Sequence, residues 1–200
     1  MNRLARMLII IIAITVAPAG AARIGLYALD GGYTCNHGIE PYVPLDVYIV
    51  ASWQWGHNVP GGLTGARFKI TNLPENDGYP VGWINEFWNS DIHTGDLNKE
   101  LFIEFEEAQG SESEMVVLGR LEFFQIDPMW IGSDYQMSTF GGDDCFCLRI
   151  YDAQGEPVDV YTSDFIFNCS LDDCWFDDCY PPDPPVQVFE ESWTTIKAMY

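Results

Sequence analysis

Six cysteines, three aspartate pairs and seven tryptophans are the residues of this chain whose types and spacing could do chemistry. Cys35, Cys145, Cys147, Cys169, Cys174 and Cys179 are even in number, as a disulfide framework requires. Cys145 and Cys147 flank Phe146 at the start of a predicted strand, where alternate residues share a face. Two different partners are therefore easier for them to reach than each other. The segment from Cys169 through Cys174 to Cys179 reads as a loop that supplies those partners, which predicts a C-terminal loop stapled to the strand. Zinc is the alternative, but C-x-C followed by two C-x4-C spacings is no usual zinc pattern, and the chain has only 3 histidines.

Asp143 and Asp144, Asp172 and Asp173, and Asp177 and Asp178 sit beside these cysteines. Hard cations take several oxygens from one or two tethered loops, so calcium is the cofactor these acids could hold. Their spacing fits no EF-hand, and Asn76-Asp77-Gly78 lacks the preceding acidic ligands. Solvated surface acids are the simpler reading of the same residues. Trp53 and Trp55 share one side of a predicted strand, with Gln54 opposite. If that side faces water they form a platform for sugar rings; if it faces inward they are core. Trp175 lies in the Asp-rich loop and is expected to be exposed, while Trp83 and Trp88 bracket Asn85 and Glu86.

Little supports catalysis. No G-x-S-x-G motif is present, and His37, His57 and His93 read as solvated or hydrogen-bonded loop histidines. A glycosidase needs two carboxylates at a defined separation, which 30 acids make uninformative. Glu104 and Glu106 read as the wet side of a half-buried strand. Asn168-Cys169-Ser170 fits a glycosylation sequon.

The compartment is expected to be extracellular, with the periplasm or the cell surface as alternatives. Arg3 and Arg6 precede an apolar run from Leu8 to Val16, and Ala19-Gly20-Ala21 offers small residues for cleavage, so residues 1–21 read as a signal peptide. An uncleaved anchor is the competing reading, but the run falls short of the ~20 apolar residues of a spanning helix. Removing two arginines and no acids takes the net charge from −21 to −23. Such a field repels phosphate backbones and anionic membranes, which excludes nucleic acid as a partner. In this reading no membrane partner remains after cleavage.

The dominant rhythm is period two. Predicted strands are Ile24 to Leu29, Leu45 to Trp55, Ala66 to Thr71, Leu101 to Glu106, Met115 to Ile126, Phe146 to Tyr151, Val158 to Tyr161 and Asp164 to Asn168. Breakers recur between them at Gly31-Gly32, Pro60-Gly61-Gly62, Asn76-Asp77-Gly78, Gly110-Ser111 and Gly141-Gly142. The pattern predicts an all-β, antiparallel β-sandwich, jelly-roll or immunoglobulin-like, over residues 22–180. Pro181-Pro-Asp-Pro-Pro185 opens a strap over 181–200, in which Ser192 could cap a short helix carrying Trp193, Ile196 and Tyr200.

Pro44-Leu-Asp-Val-Tyr-Ile-Val50, followed by Gly62-Leu-Thr-Gly-Ala-Arg-Phe-Lys-Ile-Thr-Asn-Leu-Pro74 and a later Met115-Val-Val-Leu-Gly-Arg-Leu121 strand, resembles the cohesin-like and related immunoglobulin-like β-sandwich domains of bacterial extracellular proteins. The resemblance spans residues 24–168 and implies a jelly-roll-like sandwich with a binding or scaffolding role and no catalysis. The six cysteines depart from that pattern, and no dockerin-type calcium repeat is present, so no partner is carried over. The resulting expectation is a secreted, non-catalytic module for extracellular protein-protein or surface assembly, with an extracellular protein or glycan as partner. A carbohydrate-binding module using Trp53, Trp55 and Trp175 is the alternative, and a secreted hydrolase a distant third.

Overall fold

The computed structural model describes residues 22–53, 59–74, 81–90, 92–125, 135–141 and 148–168. Among them there are strands and turns but no helix. The thirteen strands are β1 (Arg23–Leu29), β2 (Tyr33–Thr34), β3 (Asn36–His37), β4 (Leu45–Ser52), β5 (Leu63–Thr71), β6 (Val81–Trp88), β7 (Ile92–Asp96), β8 (Glu100–Gln109), β9 (Met115–Gln125), β10 (Tyr135–Phe140), β11 (Arg149–Asp152), β12 (Pro157–Asp159) and β13 (Tyr161–Phe167).

Hydrogen bonding follows one path, β12-β11-β5-β10-β13-β1-β4-β9-β6, with β8 on the far edge of β5 and β7 beyond it. The path folds back on itself. Phe68 on β5 packs against Trp88 on β6, ring centroids 6.5 Å apart, although the two strands lie far apart along the path. One layer is therefore β7-β8-β5 with β10 and β11 laid end to end along the other edge of β5; the second is β13-β1-β4-β9-β6. A single apolar cluster fills the space between them. Leu26, Ile49, Leu121 and Phe123 come from one layer, and Phe68, Ile70, Ile103 and Ile150 from the other. Burial of this kind, at ~25 cal/mol per Å² of apolar surface, is what holds two sheets face to face.

The alternation anticipated for β5 is present, with Ala66, Phe68 and Ile70 buried and Arg67, Lys69 and Thr71 partly exposed. The predicted strands on either side of Asp152 pair as the hairpin of β11 and β12, Ile150 opposite Val158. Asp152 Oδ1 accepts hydrogen bonds from the backbone N–H groups of Gln154 (2.8 Å) and Glu156 (2.9 Å), and Gly155 takes the left-handed φ of 78° that the turn needs.

The all-antiparallel expectation is corrected at two places. β1 runs parallel to β13, Ile24 opposite Thr162, and β3 runs parallel to β13 as well. Parallel pairing of the first long strand with the last closes the layer without a hairpin, a feature that local patterning does not encode. Four further strands, β2, β3, β7 and β10, were not anticipated, nor was β6. The expected leader, the C-terminal helix and the Pro-rich strap lie outside the described residues.

Candidate docking face

Among the described residues, the outward side of the β8-β5-β11 layer gathers Phe102, Tyr151, Arg67, Lys69 and Arg149. On β8 the inward residues are Leu101, Ile103 and Phe105, which leaves Glu100, Phe102, Glu104 and Glu106 facing out. Glu104 and Glu106 are exposed as anticipated. Phe102 meets Tyr151 of β11 edge to face, centroids 5.6 Å apart and planes at 89°. The two rings converge over Gly65, which pairs with Glu104 on one side and Tyr151 on the other. A Cβ there would lie 2.8 Å from the Ile103 carbonyl oxygen and 3.6 Å from the Phe102 ring, so glycine keeps the floor beneath the pair open.

Beside the rings, Arg67 of β5 donates to Glu100 Oε1 at 2.6 Å, and Arg149 Nε donates to Asp159 Oδ1 at 2.9 Å. Lys69 Nζ lies 5.7 Å from the centroid of Phe140, a ring 43% exposed. The other oxygen of Glu100, Oε2, is buried and accepts no hydrogen bond. The basic residues among those described are Arg23, Arg67, Lys69, Lys99, Arg120 and Arg149, and half of them belong to this face.

The opposite outer side is built differently. Tyr27 and Tyr48 point outward from β1 and β4 but are roofed by Tyr33, with centroids 5.7 Å and 6.4 Å away, and by Cys35. Burial raises the Tyr27 phenol pKa, partly offset by a hydrogen bond with Ser163. Tyr33 is raised too, again chiefly by burial. Cys35 is buried and disulfide-bonded, with Sγ 3.8 Å from Ser163 Oγ. Farther along this side, Arg120 pairs with Asp46 and lies 4.1 Å from the Phe87 centroid, and Phe124 packs against Tyr42 at 6.3 Å.

Of the anticipated site residues, Trp53 is 3% exposed and belongs to the core, so its ring offers no face to a sugar. Its inward position follows from strand parity, with Ala51 on the same side and also in the core. Trp55, Trp175, Asp143, Asp144, Asp172, Asp173, Asp177, Asp178, Cys145, Cys147, Cys169, Cys174 and Cys179 lie outside the described residues. His37 and His93 stand in strands β3 and β7 rather than in loops. His37 Nδ1 is 2.6 Å from the Gly38 carbonyl oxygen, and the His93 ring is 6.0 Å from Trp88. Among the described residues, no three His, Cys, Asp or Glu side chains converge as a metal site. The Phe102 and Tyr151 pair was missed because each sits alone in sequence; only knowledge that β8 and β11 both flank β5 brings them together.

No family model matches the sequence, and no curated protein matches it. Among solved structures, the chain is similar to the sixth cohesin of scaffoldin B from Acetivibrio cellulolyticus, solved in complex with a Cel5 dockerin mutant. Identity is 15%, 75% of this chain and 99% of that chain are covered, and the TM-score is 0.47. It is also similar to a cohesin module of a family 33 glycoside hydrolase from Clostridium perfringens, at 7% identity, 76% and 99% coverage and a TM-score of 0.45. Both are cohesin modules, the family that the sequence pattern resembles.

Proposed function

We propose that this chain is a non-catalytic protein-binding module that works outside the cell and docks its partner on the outward side of β8, β5 and β11. The observation that carries this reading is the Phe102 and Tyr151 pair set among Arg67, Lys69 and Arg149 on a chain of net charge −21. Aromatic rings and arginines are the side chains that anchor protein interfaces, and a sheet presents them on a rigid plane. Cations that neighbouring acids already orient lose little freedom when a partner's polar groups arrive. Mixed charge here also spares a partner the repulsion that the acid excess imposes elsewhere.

In the same reading, residues 1–21 direct export, and the loop bearing Cys169, Cys174 and Cys179 is stapled to the segment of Cys145 and Cys147 in an oxidising milieu. Non-reducing peptide mapping tests the staple, and free thiols would reject it. The function is tested by capture from the host's secreted fraction on immobilised wild-type chain and on a Phe102→Ala, Arg149→Ala variant. A protein retained by the first and lost from the second is the expected result; equal retention by both refutes the assignment of this face.

A further inference from the structure

The outer side of β4, β9 and β6, on the layer away from the docking face, carries a second arrangement that protein docking does not use. Tyr42 is 61% exposed and holds φ at 66°, a left-handed backbone that costs energy for a bulky side chain. Its N–H donates to the Gln125 carbonyl oxygen, which fixes the ring beside Phe124. The turn from Glu40 to Val43, closed by the Val43 N–H donating to the Glu40 carbonyl oxygen, sets this φ at its third residue and presents the ring to water. At the other end of the same side stands Phe87, 43% exposed. Arg120, opposite Phe87 in register, is four residues along β9 from Phe124, which places the two ring groups roughly 13 Å apart.

Between the ring groups lies a polar row. Glu122 is the register partner of both Asp46 on β4 and Asn85 on β6, and Asn85 Nδ2 donates to Glu122 Oε1 at 3.3 Å. A protein hot spot wants contiguous apolar anchors with a polar rim; here the order is reversed, apolar ends around a polar centre. Rings that cover C–H faces, alternating with amide and carboxylate groups that bond hydroxyls, suit a polyhydroxylated chain. Charge narrows the choice further. Asp46 and Arg120 neutralise each other, and Glu122 is left to repel an anion.

We propose that this side binds an uncharged oligosaccharide chain, stacked on Tyr42 and Phe124 at one end and on Phe87 at the other, with its hydroxyls bonded by Asn85 and Glu122.

The test is affinity electrophoresis and calorimetry of the full exported chain with barley β-glucan, arabinoxylan, hydroxyethyl cellulose and dextran, and with polygalacturonate as the anionic comparison. Binding to at least one uncharged polymer is expected, weakened about tenfold or more by Phe124→Ala and by Tyr42→Gly. Tyr42→Gly removes the ring while relieving the backbone, so loss of binding there cannot be laid to misfolding. Phe102→Ala, on the other layer, is expected to leave sugar binding unchanged while impairing protein capture. Absence of binding to all four uncharged polymers, preference for polygalacturonate, or binding indifferent to both substitutions would overturn the proposal.

Discussion

Arg67 and Arg149 are direct cross-strand partners in the β5 and β11 ladder, two like charges at the position where side chains approach most closely. Opposed like charges weaken a strand pair, so each arginine is drawn aside by its own acid, Glu100 on β8 and Asp159 on β12. Across four strands the face is thus a row in which an acid at each end, Glu100 and Asp159, flanks the two central arginines. That arrangement keeps two guanidinium groups side by side where a partner can use both.

The two acids should not count equally toward stability. Glu100 is largely sheltered and its pairing with Arg67 is charge-assisted, so Glu100→Gln is expected to lower stability by about 1–2 kcal/mol. Asp159 is mostly exposed, and Asp159→Asn should cost no more than about 0.5 kcal/mol. Arg149→Thr removes the opposed charge and adds a β-branched residue, and should be neutral or stabilising by about 0.5 kcal/mol. Urea midpoints of the three variants check the order; a larger loss for Asp159→Asn than for Glu100→Gln would contradict it.

Gly119, in the middle of β9, is expected to tolerate no side chain. A Cβ there would lie 2.4 Å from the Trp88 ring and 2.5 Å from the Phe87 carbonyl oxygen, and backbone cannot move aside as a flexible side chain can. Gly119→Ala should cost about 1–3 kcal/mol or more and displace Trp88, visible as a change in tryptophan emission together with a lowered urea midpoint. An unchanged midpoint would show that β6 and β9 approach less closely than described.

How much of this was legible in sequence depends on whether a residue's role is local. Phe68 and Ile70 announce their inward side by alternation with Arg67 and Lys69, and Asp152 announces its turn through the Gly155 and Pro157 that follow. β7 was invisible because Ile92-His-Thr-Gly-Asp96 is exposed throughout and so shows no alternation; its strand character comes entirely from pairing with β8. β6 escaped notice for a related reason. A bulge between Trp83 and Asn85 shifts the register, which breaks period two where the eye seeks it. Trp53 was legible as either core or platform, and only the identity of the layer across from β4 decides. The docking face needs β8, β5 and β11 side by side, and the parallel closure of β1 on β13 needs residues more than a hundred positions apart.

Phe167 is a fully buried ring that ties three strands together. Its ring meets Phe165 at 5.1 Å, Phe123 at 5.2 Å and Tyr135 at 6.2 Å, joining β13, β9 and β10. Phe167→Ala is expected to cost about 3–5 kcal/mol, whereas Phe167→Leu, which leaves a smaller void, should cost clearly less. Thermal unfolding of the two variants is the check, and equal losses would mean that the site collapses around the deletion.

The roof over β1 and β4 predicts opposite behaviour for two tyrosines. Tyr27 is fully buried and hydrogen-bonded with Ser163, so Tyr27→Phe should lose about 1 kcal/mol. The Tyr33 hydroxyl is buried and makes no hydrogen bond, so Tyr33→Phe should be neutral or stabilising by about 1 kcal/mol at neutral pH. Both phenols have their pKa raised above 10.0, chiefly by burial. Below that pH the folded and unfolded chains alike keep these protons, and the contribution is complete. Above it the unfolded chain releases protons that the folded chain retains, so stability falls as pH rises, by up to ~1.4 kcal/mol per pH unit for each tyrosine. Urea midpoints measured from pH 8 to 11 should therefore decline beyond pH 10.0 in the wild type and less steeply in Tyr33→Phe. Parallel declines in the two proteins would show that Tyr33 is not held neutral by its packing against Tyr27 and Tyr48.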